Sequence, residues 1–146
     1  MAMADTLSEY FGFEAHDTSL RTESLAGLTT FLTMSYIVIV NPAILSNAIS
    51  VQGYSDGEVI QMLAIVTIIS AAVATLVMAL YANRPFAQAP GLGLNAFFAF
   101  TVVLTMGIPW QTALAAVVVE GILFIVLTAA GAREFIIRLF PEPVKF

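Results

Sequence analysis

The sequence predicts an all-α membrane protein, and three features predict it. Hydrophobic residues make up 60% of the chain and charged residues only 10%, with a mean hydropathy of +0.94; soluble domains carry roughly a quarter charged residues. The charges are also segregated. Windows 24–53, 59–83 and 85–119 hold none, and each is long enough for the ~20 residues of a spanning helix. Within the last window lies a helix-breaking cluster, Ala87-Gln88-Ala89-Pro90-Gly91-Leu92-Gly93-Leu94-Asn95. The reading is four transmembrane spans, the third of them broken by a short extended strand.

In chain order, residues 1–23 form a polar, acidic segment holding Asp5, Glu9, Glu14, Asp17 and Glu23. It lacks the basic-then-apolar pattern of a secretory signal. Thr6-Leu7-Ser8-Glu9 fits a capping box, and Leu7, Tyr10, Phe11 and Phe13 follow, with Gly12 interrupting. A short helix lying on the membrane and a disordered tail both fit. Span one covers about residues 24–45 and meets Asn41-Pro42, where proline removes a donor and disfavours helix in the residue before it. A kink or an end is expected there, as a pore-lining break or a simple bend. The Thr29–Thr33 face suits hydrogen bonding between helices. Residues 46–58 are the longest polar connection.

Span two, about 59–82, is the most regular, with small Ser70, Ala71, Ala72 and Ala74 that let helices approach. Span three has an extended half over about 86–93 and a helical half to about 106. Gly107-Ile108-Pro109-Trp110 makes a tight turn, with Trp110 suited to the interface. Span four covers about 111–132, with Glu120 near its centre. Residues 133–140 read as a further surface helix before Pro141 and Pro143. Arg21, Arg84, Arg133, Arg138 and Lys145 all fall on one side of a four-span layout, which places both ends in the cytoplasm.

Several function classes are set aside. No cysteine is present, and His16 is the single histidine, so neither a disulfide framework nor a His-rich metal centre is available. His16 reads as a solvated surface residue. The net charge of −5 comes from the acidic N-terminal segment. With Lys145 the only lysine, a salt-loving host would also fit. No nucleophile–base pair or metal-ligand set points to an enzyme, no cofactor is implied, and nothing points to nucleic acid.

Chemistry concentrates at the break in span three. In hydrocarbon every backbone polar group needs a partner, so broken backbone belongs where protein shields it or a polar cavity receives it. Broken helices at mid-depth are also how secondary transporters build substrate sites. Pro90, Gly91 and Gly93 free backbone groups and let a ligand come close. Asn95 brings one acceptor and two donors, beside the positive end of a half-helix. Phe97, Phe98 and Phe100 add aromatic faces. A flat, polar-edged aromatic solute suits this set; a kinked packing helix whose asparagine bonds a neighbour is the other reading. Glu120, the one ionisable residue deep in a span, is a proton-coupling candidate or a structural glutamate between helices.

These motifs carry a resemblance. Residues 21–36 (RTESLAGLTTFLTMSY), Asn41-Pro42-Ala43-Ile44-Leu45, Pro90 to Phe98 (PGLGLNAFF) and Glu120-Gly121-Ile122-Leu123-Phe124 together closely resemble the adenine/guanine/hypoxanthine branch of the nucleobase/cation symporter-2 (xanthine/uracil permease) family, over nearly the whole chain from about Phe11. The resemblance implies fourteen spans in two inverted repeats of seven, with a core domain moving against a gate domain. It also implies a purine bound where span three and its repeat mate pair as short strands. Gly91, Leu92, Gly93, Asn95 and Phe97 would be this chain's contribution. Proton-coupled purine uptake by alternating access would follow.

On this reading, residues 24–132 are a four-span part of the core domain and 133–146 an interfacial helix and linker. The acidic residues that the family carries in its eighth and tenth spans have no counterpart here, nor does the strand that should pair with residues 87–93. The expectation is therefore an N-terminal fragment that does not transport alone and that needs the remainder of the permease or another membrane chain. Two other classes stay open: a four-span exporter dimerising around Glu120, and a non-transporting membrane subunit.

Overall fold

The computed structural model describes residues 2–131. The predicted surface helix over 133–140, the end of span four at residue 132 and the final linker lie outside the described residues. The order is α1 (Ala2–Phe11), α2 (Leu20–Met34), α3 (Ile37–Leu45), α4 (Asp56–Leu80), α5 (Leu92–Ala96), a π-helix (Phe97–Thr105) and α6 (Trp110–Ala129). No strand occurs among the described residues. The chain divides between Thr101 and Val102 into two compact units. Three stretches are long and apolar enough to cross a membrane: Leu20–Leu45, Asp56–Leu80 and Trp110–Ala129; Leu92–Thr105 is a shorter apolar helix.

α1 forms, but not by the expected capping box. Thr6 and Glu9 lie inside the helix, which begins four residues earlier, at Ala2. Its end matches expectation: Gly12 adopts φ 63°, the Phe13 N–H donates to Ser8 O at 3.0 Å and the Gly12 N–H to Glu9 O at 3.2 Å. That pair of bonds is the Schellman closure, which needs the left-handed residue glycine supplies. The Tyr10 hydroxyl then donates to Leu80 O, one of the carbonyls that the end of α4 leaves without an intrahelical partner. Asn83 Nδ2 donates back to Tyr10 O at 3.3 Å. The N-terminal helix is thereby tied to the exit of α4.

Span one is interrupted at Ser35–Tyr36, upstream of the predicted Asn41. The Val38 N–H reaches Ser35 O and the Ile39 N–H reaches Tyr36 O, each at 3.1 Å. These three-residue bonds tighten the turn that precedes Pro42, whose ring would otherwise press on the carbonyl of Val38. Helix then continues through Asn41 and Pro42. Among the described residues, the α2 hydroxyls do not bond to another helix. Thr29 donates to Leu25 O at 2.8 Å, Thr30 to Ala26 O at 3.0 Å and Thr33 to Thr30 O at 2.9 Å. Such back-bonding satisfies the hydroxyl locally and commonly bends a helix.

α4 opens with a true capping box. Ser55 accepts from the Glu58 N–H while the Glu58 carboxylate accepts from the Ser55 N–H, which satisfies two orphan groups at once. α3 packs on α4 and on α5. Large apolar side chains such as Ile65, Val66, Ile69 and Val73 of α4 face outward, the surface that hydrocarbon or neighbouring membrane helices require.

Candidate functional site

The third hydrophobic stretch begins with irregular backbone over residues 83–91. Gly91 is extended (φ −76°, ψ 105°) and caps α5, and the Asn95 N–H donates to Gly91 O at 3.1 Å to start the helical ladder. The helix therefore starts at Leu92, so Gly93, expected in the extended half, sits in the first turn of α5. The predicted strand is absent: the segment has no strand partner among the described residues. Beyond Ala96 the α-helix widens into a π-helix to Thr105, where ordinary helix was expected. π-Helical turns are rare and frequently mark functional sites.

What steadies the irregular segment is α4. The Gln88 N–H donates to Thr75 Oγ1 at 2.9 Å, and Thr75 Oγ1 donates to Gln88 O at 3.3 Å. One hydroxyl thus serves both backbone groups of Gln88, as a neighbouring strand would. Beside this clamp, a cavity of about 240 Å³ lies between Ser70, Ala71 and Ala74 of α4 and Gln88, Ala89 and Pro90. The small residues on this side of α4 leave room beside the broken backbone.

A buried polar chain meets the other end of the break. Asn95 Nδ2 donates to Asn41 Oδ1. Asn41 Nδ2 donates to Thr67 Oγ1 at 2.9 Å, and Thr67 Oγ1 donates to Leu63 O at 2.7 Å. Asn41 and Thr67 are each 3% exposed, and Pro42 is fully buried. No buried side-chain nitrogen or oxygen among the described residues lacks a partner. Asn95 itself is half-buried.

The structure therefore joins Asn41 and Asn95, which are 54 residues apart. The helix runs unbroken through Asn41, and its side chain links three elements. Gly91 and Gly93 are exposed and Leu92 half-buried, and Phe97 is 57% exposed. A Cβ added at Gly93 would meet nothing within 4 Å. Glu120 is exposed on α6, in the second unit. Thr67 and Thr75 were missed from sequence. Their signal was a ridge of residues four apart, Thr67, Ala71 and Thr75, on one helical row. A second cavity, of about 760 Å³, lies where the N-terminal segment meets the end of α4, lined by Phe11, Phe13, His16, Glu23, Arg84 and Phe86 among others. His16, expected to be simply solvated, is exposed but borders this hollow.

A multi-pass membrane protein with a hydrogen-bonded helix break is the class these features define. The profile of the permease family of xanthine/uracil type matches residues 21–146, and the chain belongs to that family. It is 49% identical over 140 residues to a protein of Methanocaldococcus jannaschii named as a permease, covering 96% of this chain and 30% of the relative. A guanine/hypoxanthine permease of Bacillus subtilis is 45% identical over 138 residues, covering 93% and 30%. An adenine permease of Escherichia coli is 43% identical over 140 residues, covering 96% and 30%. The chain thus spans about 30% of the length of these relatives. No solved structure matches it at a significant level. Family and relatives are transporters, not enzymes.

Proposed function

We propose that this chain is the N-terminal portion of a purine nucleobase permease and supplies one half of its substrate site, at the break between Gln88 and Phe97. The carrying observation is the half-buried Asn95, held by a buried partner beside two exposed glycines. An amide anchored on one side keeps hydrogen-bonding capacity for a ligand on the other, and glycine permits close approach. Phe97, largely exposed, offers a face on which a planar base stacks.

In this reading Leu92–Thr105 is the helical half of a broken third span, with the irregular residues before it completing the crossing. The chain then contributes four spans to the core domain of an inverted-repeat transporter in the cell membrane. Residues 1–23 and 133–146 flank these spans at the cytoplasmic face. Uptake is by alternating access and is proton-coupled, with Glu120 the carboxyl available to that role in this chain. The names of the relatives support a purine substrate, one for guanine and hypoxanthine and another for adenine. Transport by residues 1–146 alone is not expected, because the irregular backbone needs a partner from the remainder of the permease.

Uptake of radiolabelled hypoxanthine, guanine and adenine in a permease-deficient host tests this. The 146-residue chain is compared with a completed permease, made by joining it to the remaining portion of the Bacillus subtilis relative. Uptake by the completed protein only, lost in Asn95→Ala, is the expected result. Uptake by the chain alone, or uptake indifferent to Asn95, overturns the reading.

A further inference from the structure

We propose that Thr67, acting through Asn41, sets which way round the Asn95 amide faces, and so fixes the hydrogen-bonding pattern it offers a ligand; this rests on the reading of Asn95 as a substrate-binding residue. The direction of the chain can be followed from its far end. Leu63 O can only accept, so the Thr67 hydroxyl donates to it, at 2.7 Å. A hydroxyl has one hydrogen; while Thr67 gives it to Leu63 O, it can only accept from Asn41. Asn41 must then turn Nδ2 to Thr67, at 2.9 Å, and Oδ1 to Asn95. Asn95 in turn must donate an N–H to Asn41.

What remains outward on Asn95 is its Oδ1 and its second N–H. Reversing Asn41 would make the Thr67 hydroxyl leave Leu63 O, giving up the 2.7 Å bond, to donate to Asn41 Oδ1, and would set Asn41 Nδ2 against the Asn95 amide nitrogen. Asn41 and Thr67 are each 3% exposed, so water is not at hand to repair the mismatch, and unpaired buried polar groups are costly. Thr67 is thus a positioning residue that never touches the ligand. The edge that fits Asn95 carries a donor next to an acceptor, as in a lactam HN–C=O or an amino-azine H₂N–C=N. An edge with two adjacent acceptors is disfavoured. Hypoxanthine, guanine and adenine all carry edges of the favoured kind.

The primary test follows the side-chain amide protons of Asn41 and Asn95 by ¹⁵N NMR, with the full 146-residue chain in lipid nanodiscs. Thr67→Val keeps the volume and removes the hydroxyl. It is expected to speed exchange of the Asn95 amide protons at least tenfold, with Thr67→Ser restoring slow exchange. If Thr67→Val does not fold, Thr67→Ala repeats the test without added bulk. Unchanged Asn95 exchange, or failure of Thr67→Ser to rescue, overturns the proposal. In the completed permease, Thr67→Val is expected to raise KM for hypoxanthine about tenfold with little change in maximal rate, and an unchanged KM counts against it. Should the unsubstituted completed permease take up no purine, the substrate reading fails, while the exchange experiment still decides the polarity of the chain.

Discussion

Thr75→Val probes the clamp on the broken backbone. Valine matches threonine in shape but carries no hydroxyl, so the Gln88 N–H and C=O both lose their partner. The N–H bond, at 2.9 Å, has ordinary length, whereas the O–H···O contact at 3.3 Å is long for its kind. The first therefore dominates. Leaving a partly buried donor unsatisfied costs about 1–3 kcal/mol, and each 1.4 kcal/mol is tenfold in an equilibrium. The segment over residues 83–91 should then open roughly 5–150-fold more often. Backbone hydrogen exchange at Gln88, read in nanodiscs, reports that opening directly. Thr75→Ser should hold exchange near its original rate, because the hydroxyl is retained. Equal exchange in Thr75→Val and the parent would refute the clamp. A Thr75→Ser variant as fast as Thr75→Val would show that the methyl group's packing matters, not the hydrogen bond.

Other consequences follow from the same contacts. Asn41→Leu leaves Asn95 and Thr67 without their shared partner and should lower stability by about 2–4 kcal/mol, read as a drop in Tm in detergent; an unchanged Tm would contradict the buried chain. Gly93→Ala meets no neighbour within 4 Å and should stabilise α5 by about 0.5–1 kcal/mol while lowering hypoxanthine uptake by the completed permease, so undiminished uptake would remove Gly93 from the site. Ser55→Ala should cost about 1 kcal/mol through loss of the α4 cap, seen as faster amide exchange in the first turn of that helix. Tyr10→Phe should release the N-terminal helix from Leu80 O, which limited proteolysis near Gly12 would report as faster cleavage.

The helical, membrane-embedded character was legible because uncharged length is itself the physical requirement for crossing a bilayer. Gly12, Gly107 (φ 67°) and the break before Asn95 were legible for a similar reason, since glycine and proline act on their own backbone. The site was only half legible. Asn95 stood out as a polar residue beside a break, but its partner Asn41 looked like part of a proline kink. Thr67 and Thr75 looked like the threonines of α2, which bond only to their own helix. Nothing local separates a hydroxyl that back-bonds from one that reaches another segment; tertiary approach decides it. The interruption at Ser35–Tyr36 was displaced from Asn41 because proline's clash acts on the preceding turn. The π-helical widening after Ala96 has no marker in the residues Phe97–Thr105, which would suit an α-helix equally well.

The central claim is that Asn95, held at the helix break, takes part in binding a purine. Equilibrium binding of tritiated hypoxanthine to the purified completed permease tests it most directly, with Asn95→Ala measured beside the parent under matched folding. The account predicts saturable binding to the parent that falls at least tenfold in Asn95→Ala, measured well below the lower melting temperature that loss of the Asn41 contact gives the variant. Binding of equal strength in both would contradict it.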